Sequence, residues 1–203
     1  MKPHSPPPSL TRKTPKSAAG FFLAEVLVSI IVLSFGLLGM VAMQASALKV
    51  NKEARDHSTA VVLAHELAEM IRGNKEIGTQ DAKASNPYLG SFKTPLTPAT
   101  PDYCLAVDTP ACLNTTDVAE SQMTEWLARV DAQFPGARVD VCLDANPFDA
   151  KGIPRWACSG SGMLVIKMGW TISSTNKTET GAEAFERTTI PSLVLPVSIR
   201  QTI

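Results

Sequence analysis

A single carboxylate stands at the start of a long uncharged stretch of this chain. Gly20 and Phe21 precede Glu25, and no charged residue occurs from Val26 to Met43. A carboxylate at bilayer depth costs about 2.5–3.5 kcal/mol on insertion scales, so an acid in such a place usually has a partner. The chemistry that Glu25 offers is therefore ion pairing with a cationic group in an apolar environment.

Two other patterns suggest catalysis but lack a required residue. His65 and Glu66 begin a stretch similar to the zinc-protease pattern H-E-x-x-H, yet Glu69 occupies the place of the second histidine. His57 lies about two helical turns earlier, and no third ligand is indicated. Ser161 lacks the glycine two residues before it that a nucleophile elbow needs. We therefore expect no enzyme activity, metal site or cofactor.

The four cysteines all lie far beyond the apolar stretch. An even number of cysteines on the exported side of a membrane suggests two disulfides formed in an oxidising compartment. Three pairings are possible. Because short loops close most easily once local structure brings their ends together, we favour the sequential pairing Cys104–Cys112 and Cys142–Cys158.

Length and charge limit the classes of protein that need to be considered. A chain of 203 residues accommodates one membrane segment and one modest domain. Residues 1–20 carry four basic residues and no acid, which leaves 15 basic and 19 acidic residues in the remainder. Without a basic stripe beyond residue 20, the sequence does not predict a nucleic-acid surface.

A long helix must carry Glu25. The apolar segment 21–43 is longer than the ~7–15 residues of a secretory apolar region and close to the ~20 needed to span hydrocarbon. An amphipathic pattern then continues to Arg72 and Gly73, which predicts one helix roughly 80 Å long at ~1.5 Å per residue. The predicted apolar stripe of its second half is Ala47, Val50, Ala54, Val61, Ala64, Ala68 and Ile71.

The rest of the chain predicts a loop, a helix and a small sheet. Residues 74–116 are rich in Pro, Thr, Asn and Ser and are predicted to form a long loop, a candidate recognition surface. A second helix is predicted to begin at Asp117 as its cap and to end before Pro135. Three runs that alternate apolar and polar residues predict antiparallel strands: Val139–Leu143, Leu164–Ile172 and Leu193–Ile199.

Two further features concern the faces and edges of this sheet. Pro196 cannot donate to a ladder, so the third strand should lie at an edge or a bulge. Cys142 has the opposite parity to Val141 and should point away from the face that covers the helix. The predicted fold is α+β, with the sheet covering the amphipathic half of the long helix.

The segment from Gly20 to Glu25 resembles the class III signal of type IV pilins and pseudopilins. The resemblance implies that a prepilin peptidase cuts after Gly20 and methylates the new amine of Phe21, and that Glu25 pairs with this amine to align a subunit during assembly. Phe22 and Ala24 depart from the residues common in the family, whereas the glycine and the acid are retained.

The same resemblance predicts the organisation and location of the chain. Residues 1–20 would be a removed leader, residues 21–48 the transmembrane and filament-core half of the helix, and residues 49–203 a periplasmic pilin domain. Before assembly the protein would lie in the bacterial inner membrane through residues 21–43, and afterwards in a pilus at the cell surface. Implied partners are the prepilin peptidase, major and minor pilins, and the inner-membrane assembly platform.

The order of elements beyond the helix is similar to that of the PilV group of minor pilins. The similarity includes the cysteine pairs, Trp126 in the second helix and Trp170 in a strand. It implies a minor pilin that primes pilus assembly and supports twitching motility and adhesion. Two alternatives remain: a minor pseudopilin of a type II secretion system, and a membrane-anchored periplasmic enzyme or binding module.

Overall fold

The computed structural model describes residues 19–173, 185–187 and 189–199 of the chain. The predicted leader therefore lies largely outside the described residues. The described chain divides into two compact units, with the boundary between Asn51 and Lys52. The described part of the first unit is the N-terminal portion of the first helix, and the second unit contains the end of that helix, the strands and the other helices.

The first helix, α1, runs without interruption from Ala19 to Gly73. Of the predicted apolar stripe, Ala64, Ala68 and Ile71 are fully buried. The prediction of this stripe was wrong for its first four residues: Ala47, Val50 and Ala54 are exposed, and Val61 is only half-buried. Burial along the helix begins at Ala60 and includes Leu67 further on. Only the end of α1 therefore packs against other parts of the chain.

The second unit is built on a four-stranded antiparallel sheet. The other elements are α2 (Lys75–Gly78), β1 (Gly90–Lys93), α3 (Thr115–Gln133), β2 (Arg138–Asp144), β3 (Met163–Gly169), β4 (Thr171–Ser173), β5 (Phe185–Arg187) and β6 (Leu193–Val197). The sheet order is β1-β2-β3-β6, and all neighbours are antiparallel. The strand with Pro196 lies at an edge of the sheet, as predicted.

One hydrophobic core joins the end of α1, helix α3 and the inner face of the sheet. Its sheet residues include Val139, Val141 and Ile166, which occupy alternate positions on β2 and β3. Trp126 of α3 is fully buried, and its Nε1 donates a hydrogen bond of 2.9 Å to the backbone oxygen of Leu63. This bond satisfies the one polar atom that the indole brings into the core.

Tyr88 is a second aromatic side chain that brings a polar atom into this core. Its hydroxyl donates a 2.5 Å hydrogen bond to Oε1 of Gln122 on α3. Burial raises the pKa of Tyr88 to about 12, against the opposing effect of the Asn74 side chain. The phenol therefore stays protonated at neutral pH and keeps its role as a donor.

The prediction of an irregular loop over residues 74–116 was wrong at two places. Residues Lys75–Gly78 form a helical turn, and Gly90–Lys93 form strand β1 against β2. Phe92 is the single apolar side chain that β1 buries, and its ring lies where a Cβ on Gly90 would be. Four residues with one buried side chain give too little alternation for a strand to be recognised from sequence.

The predicted start of the second helix was also wrong. Helix α3 begins at Thr115, and its N-cap is Asn114, whose Oδ1 accepts 2.9 Å bonds from the amides of Thr116 and Asp117. Asp117 instead accepts the amide of Leu113 at 3.0 Å. Both residues are good caps, and only the backbone conformation of Asn114 decides between them.

Replacing Asn114 with alanine is expected to lower the free energy of unfolding by about 1 kcal/mol, because two helix amides lose their acceptor. Chemical denaturation of the full chain in detergent micelles measures this. Asn114→Asp keeps the acceptor and is the matched control. An Asn114→Ala variant as stable as the control would contradict the assigned cap.

The second predicted strand is divided in the structure. β3 ends at Gly169, and Thr171–Ser173 pairs with Phe185–Arg187 in a separate two-stranded sheet. Trp170 lies between the two strands and packs on Phe134, with ring centroids 4.8 Å apart. The tertiary contact of this large ring interrupts a run that alternates continuously in sequence.

The architecture as a whole is α+β, as predicted. A long apolar N-terminal helix and a small antiparallel sheet match a pilin-like fold.

Candidate functional site: the N-terminal helix and the disulfide-bounded segments

The residues of the predicted processing signal lie in the first turns of α1. Gly20, Phe21 and Glu25 all fall within the helix Ala19–Gly73. The side chain of Glu25 is exposed, and no described residue donates a hydrogen bond to its carboxylate. Its backbone oxygen accepts a 2.7 Å bond from the hydroxyl of Ser29. The carboxylate is thus available to a group outside the described chain.

The helix beyond Glu25 presents apolar side chains on all sides. Every residue from 22 to 55 is exposed, including the large side chains of Phe22, Phe35 and Met43. By length and composition this is one helix that could cross a membrane. Exposing so many apolar side chains to water is unfavourable, and a lipid or protein environment would cover this surface.

Small and hydroxyl residues on this helix leave open space at its surface. A Cβ added at Gly36 or Gly39 would meet nothing within 4 Å. The hydroxyl of Ser34 donates to the backbone oxygen of Ile30 at 2.7 Å, so this donor is satisfied within the helix. Such residues permit close approach of another helix in lipid.

The structure brings the four cysteines together in the sequential pairing. Cys104 is bonded to Cys112, and Cys142 to Cys158. The first bridge closes a segment between β1 and α3, and the second joins β2 to the connection before β3. Both bridges therefore constrain segments at the surface of the second unit.

A buried ion pair, which the sequence analysis missed, lies beneath the segment that the second bridge constrains. Lys167 of β3 and Asp144 of β2 have fully buried side chains, and Lys167 Nζ donates to Asp144 Oδ2 at 2.6 Å. The same ammonium donates to the backbone oxygen of Ala157 at 2.7 Å. A charged residue within an alternating strand is ordinarily read as solvent-facing, so no pattern in the sequence marks it as buried.

The environment of Asp144 favours its ionised form. Burial acts to raise its pKa, but hydrogen bonds from the Lys167 side chain and from the Asn146 amide outweigh this, together with the charge of Lys167 and the Ser159 side chain. The net effect holds the pKa of Asp144 below its ordinary value. Asp144 and Lys167 thus connect the outer face of the sheet to the covering segment through charge-assisted hydrogen bonds.

A second ion pair lines a groove on the outer face of the sheet. Arg138 donates to Asp140 at 2.7 Å, and its guanidinium lies 4.1 Å from the ring centroid of Trp156. The groove has a volume of about 450 Å³ and also touches the disulfide Cys142–Cys158. The cation–π contact holds Trp156 over the sheet.

The residues of the sequence pattern similar to a zinc-protease motif make other contacts or face solvent. Glu66 forms a two-pronged ion pair with Arg129 of α3, with N–O distances of 2.5 and 3.0 Å, while His65 is exposed. Three other acids, Asp102, Asp117 and Glu120, lie close enough for one cation.

Those three acids already accept hydrogen bonds. Asp102 accepts the amide of Cys104, and Glu120 accepts the hydroxyl of Thr100. Asp117 accepts the amide of Leu113. These acids lie close together because the Cys104–Cys112 segment folds onto α3. No pattern in the sequence predicts this proximity. The arrangement is that of a capped and hydrogen-bonded loop.

No protein-family model, no curated protein and no solved structure matches the chain.

Proposed function

We propose that this chain is a minor type IV pilin, which acts by assembly and not by catalysis. The observation that carries the proposal is the combination of Gly20, Phe21 and the free carboxylate of Glu25 at the start of an exposed apolar helix. In this proposal a prepilin peptidase cuts after Gly20 and methylates Phe21. Glu25 then pairs with the N-terminal amine of Phe21, on its own chain or a neighbouring subunit.

The pilin-like fold supports this proposal. Helix α1 carries apolar side chains on all sides up to about Leu48 and then contributes its last three turns to the core of the second unit. A subunit of this kind can be held in a membrane before assembly and in a filament of helices afterwards. The first environment would be the inner membrane, with the second unit in the periplasm, and the second environment would be a pilus.

The disulfides are consistent with an exported second unit. Two bridges are formed and no described cysteine is free. Disulfides persist in oxidising compartments such as the bacterial periplasm and the cell surface. We therefore assign the second unit to that side of the membrane, where other pilins and the assembly platform would be its partners.

The second candidate is a minor pseudopilin of a type II secretion system, which would use the same N-terminal signal and helix. The exposed carboxylate of Glu25 and the exposure of α1 support both candidates equally. The features similar to the PilV group, including Trp126 and Trp170, favour a pilus with roles in assembly priming, twitching motility and adhesion. Deleting the gene and scoring both twitching and protein secretion separates the two: loss of secretion alone would favour the pseudopilin.

Mass spectrometry of the protein isolated from its own cells tests the processing step. We expect the mature chain to begin at Phe21 with a mass increase of one methyl group, because the glycine and the acid of the signal are both present. Gly20→Leu is expected to leave the leader attached. An intact leader in the unaltered protein, or a mature chain that begins elsewhere, would contradict the proposal.

A further inference from the structure

Strand β1 forms one free edge of the four-stranded sheet. It pairs with β2 on one side, and no described strand pairs with its other side. Thr94 lies opposite Ala137 in the continuation of this register, and its amide donates to the Ala137 oxygen at 3.0 Å. In an antiparallel ladder, residues whose backbone groups bond to the neighbouring strand alternate with residues whose backbone groups point away from it. Phe92 and Gly90 therefore point their backbone groups toward β2, whereas Ser91 and Lys93 point theirs outward.

The outward backbone groups of β1 lack partners within the described chain. Neither Ser91 nor Lys93 donates or accepts a backbone hydrogen bond outside the β1–β2 ladder among the described residues, and both residues are exposed. Two amides and two carbonyl groups are thus presented in a row, at the spacing of a β-strand. The chemistry complementary to this row is another extended backbone.

Two cavities lie next to this edge, and Ser91 lines both. The groove of about 450 Å³ lies on the outer face, since it is lined by Asp140 and Cys142 of β2. The second cavity, of about 440 Å³, is lined by Phe92, whose side chain lies on the core face, and by segment 97–100. Consecutive side chains of a strand lying along β1 would point in turn toward one cavity and then the other.

We propose that the β1 edge binds an extended segment of a partner protein as a fifth strand of the sheet. The backbone row of Ser91 and Lys93 supplies the hydrogen bonds, and the cavity on the core face, lined by Phe92, selects apolar side chains at every second position. The exposed ammonium of Lys93 has no ion-pair partner among the described residues and selects a segment that carries a carboxylate. The occupant is thus an acidic, alternating strand.

The same features argue against a second copy of this chain as the occupant. A lysine on an edge strand opposes pairing of two identical edges, because it places like charges close together. The opposite edge of the sheet, β6, contains Pro196, which cannot donate to a new ladder. The partner must therefore supply a strand edge other than β1 or β6 of this chain.

Amide hydrogen exchange on the full-length protein in detergent micelles tests the proposal. The probe is the synthetic peptide acetyl-Thr-Val-Glu-Val-Thr-amide at about 1 mM, a concentration suited to weak strand addition. We expect exchange of the Ser91 and Lys93 amides to slow by about tenfold when the peptide is present, because each gains a hydrogen-bond acceptor. The same peptide N-methylated at every backbone amide keeps its side chains but has no backbone donor, and should give no protection.

Proline substitutions provide a matched pair of variants. Lys93→Pro removes an outward amide from β1, whereas Val194→Pro removes one from the opposite edge, since Val194 shares the parity of Pro196 on β6. Circular dichroism checks that both remain folded. Lys93→Pro should abolish protection of Ser91, and Val194→Pro should leave it unchanged. No protection by the unmethylated peptide, or equal protection by both peptides, would overturn the proposal.

Discussion

Replacing Asp144 with asparagine is expected to lower the free energy of unfolding by about 3–5 kcal/mol. The change leaves the ammonium of Lys167 fully buried, with the backbone oxygen of Ala157 as its remaining described partner. Removing one member of a buried ion pair is costly because the other charge loses its compensation. Denaturant unfolding of the full-length protein in micelles, followed by tryptophan fluorescence, measures the loss.

Control variants separate the loss of the pair from a general effect of changing charge. Asp81→Asn removes an exposed carboxylate and should alter stability by about 0.5 kcal/mol or less. The double variant Asp144→Leu with Lys167→Met removes both charges, and it should be more stable than Asp144→Asn alone. If the double variant were the least stable of the set, the uncompensated charge would not be the cause.

The same pair predicts how stability depends on pH. The folded state lowers the pKa of Asp144 below its ordinary value of 3.8, so the contribution of its carboxylate is fully present above that value. It is lost as the pH falls through the lower, folded-state pKa. We expect the stability difference between the unaltered protein and Asp144→Asn to shrink as the pH falls below about 4. A difference that stays constant to lower pH would contradict this.

Replacing Glu25 with alanine is expected to prevent most incorporation into filaments while cleavage after Gly20 continues. Without Glu25 the amine of Phe21 lacks its proposed counter-ion in an apolar environment, where an unpaired charge costs about 2.5–3.5 kcal/mol. A penalty of this size reduces an association equilibrium by roughly 100-fold. The measurement is the fraction of the protein in sheared filaments relative to the total, with the N-terminal mass as a check on processing.

Two variants control this experiment. Glu25→Asp keeps the charge and should retain much of the incorporation, whereas Glu53→Ala removes an exposed charge from the same helix outside the apolar stretch and should have no effect. Normal incorporation of Glu25→Ala would refute the assigned role of the carboxylate. Equal loss in Glu53→Ala would show that the effect comes from the charge of the helix in general.

The sequence predicted the N-terminal helix more completely than the sheet-containing part of the chain. The N-terminal helix was predicted almost to the residue, because 18 consecutive uncharged positions from Val26 to Met43 and a terminal Arg72-Gly73 are local signals. Strand β1 and the break at Trp170 were missed, because each depends on a partner distant in sequence. Phe92 packs in a core that Val139 helps to form, and Trp170 packs on Phe134.

The sequence by itself determined the apolar helix with Glu25 at its start, the α+β class and the alternation of β2 and β3. These features follow from composition and periodicity within a few residues of each position. Only the tertiary structure decided that Lys167 is buried against Asp144 and that Ser91 and Lys93 lie on a strand edge that no other described strand pairs with. Burial and strand order depend on which segments come to lie next to each other, and an isolated alternating pattern carries no record of its neighbours.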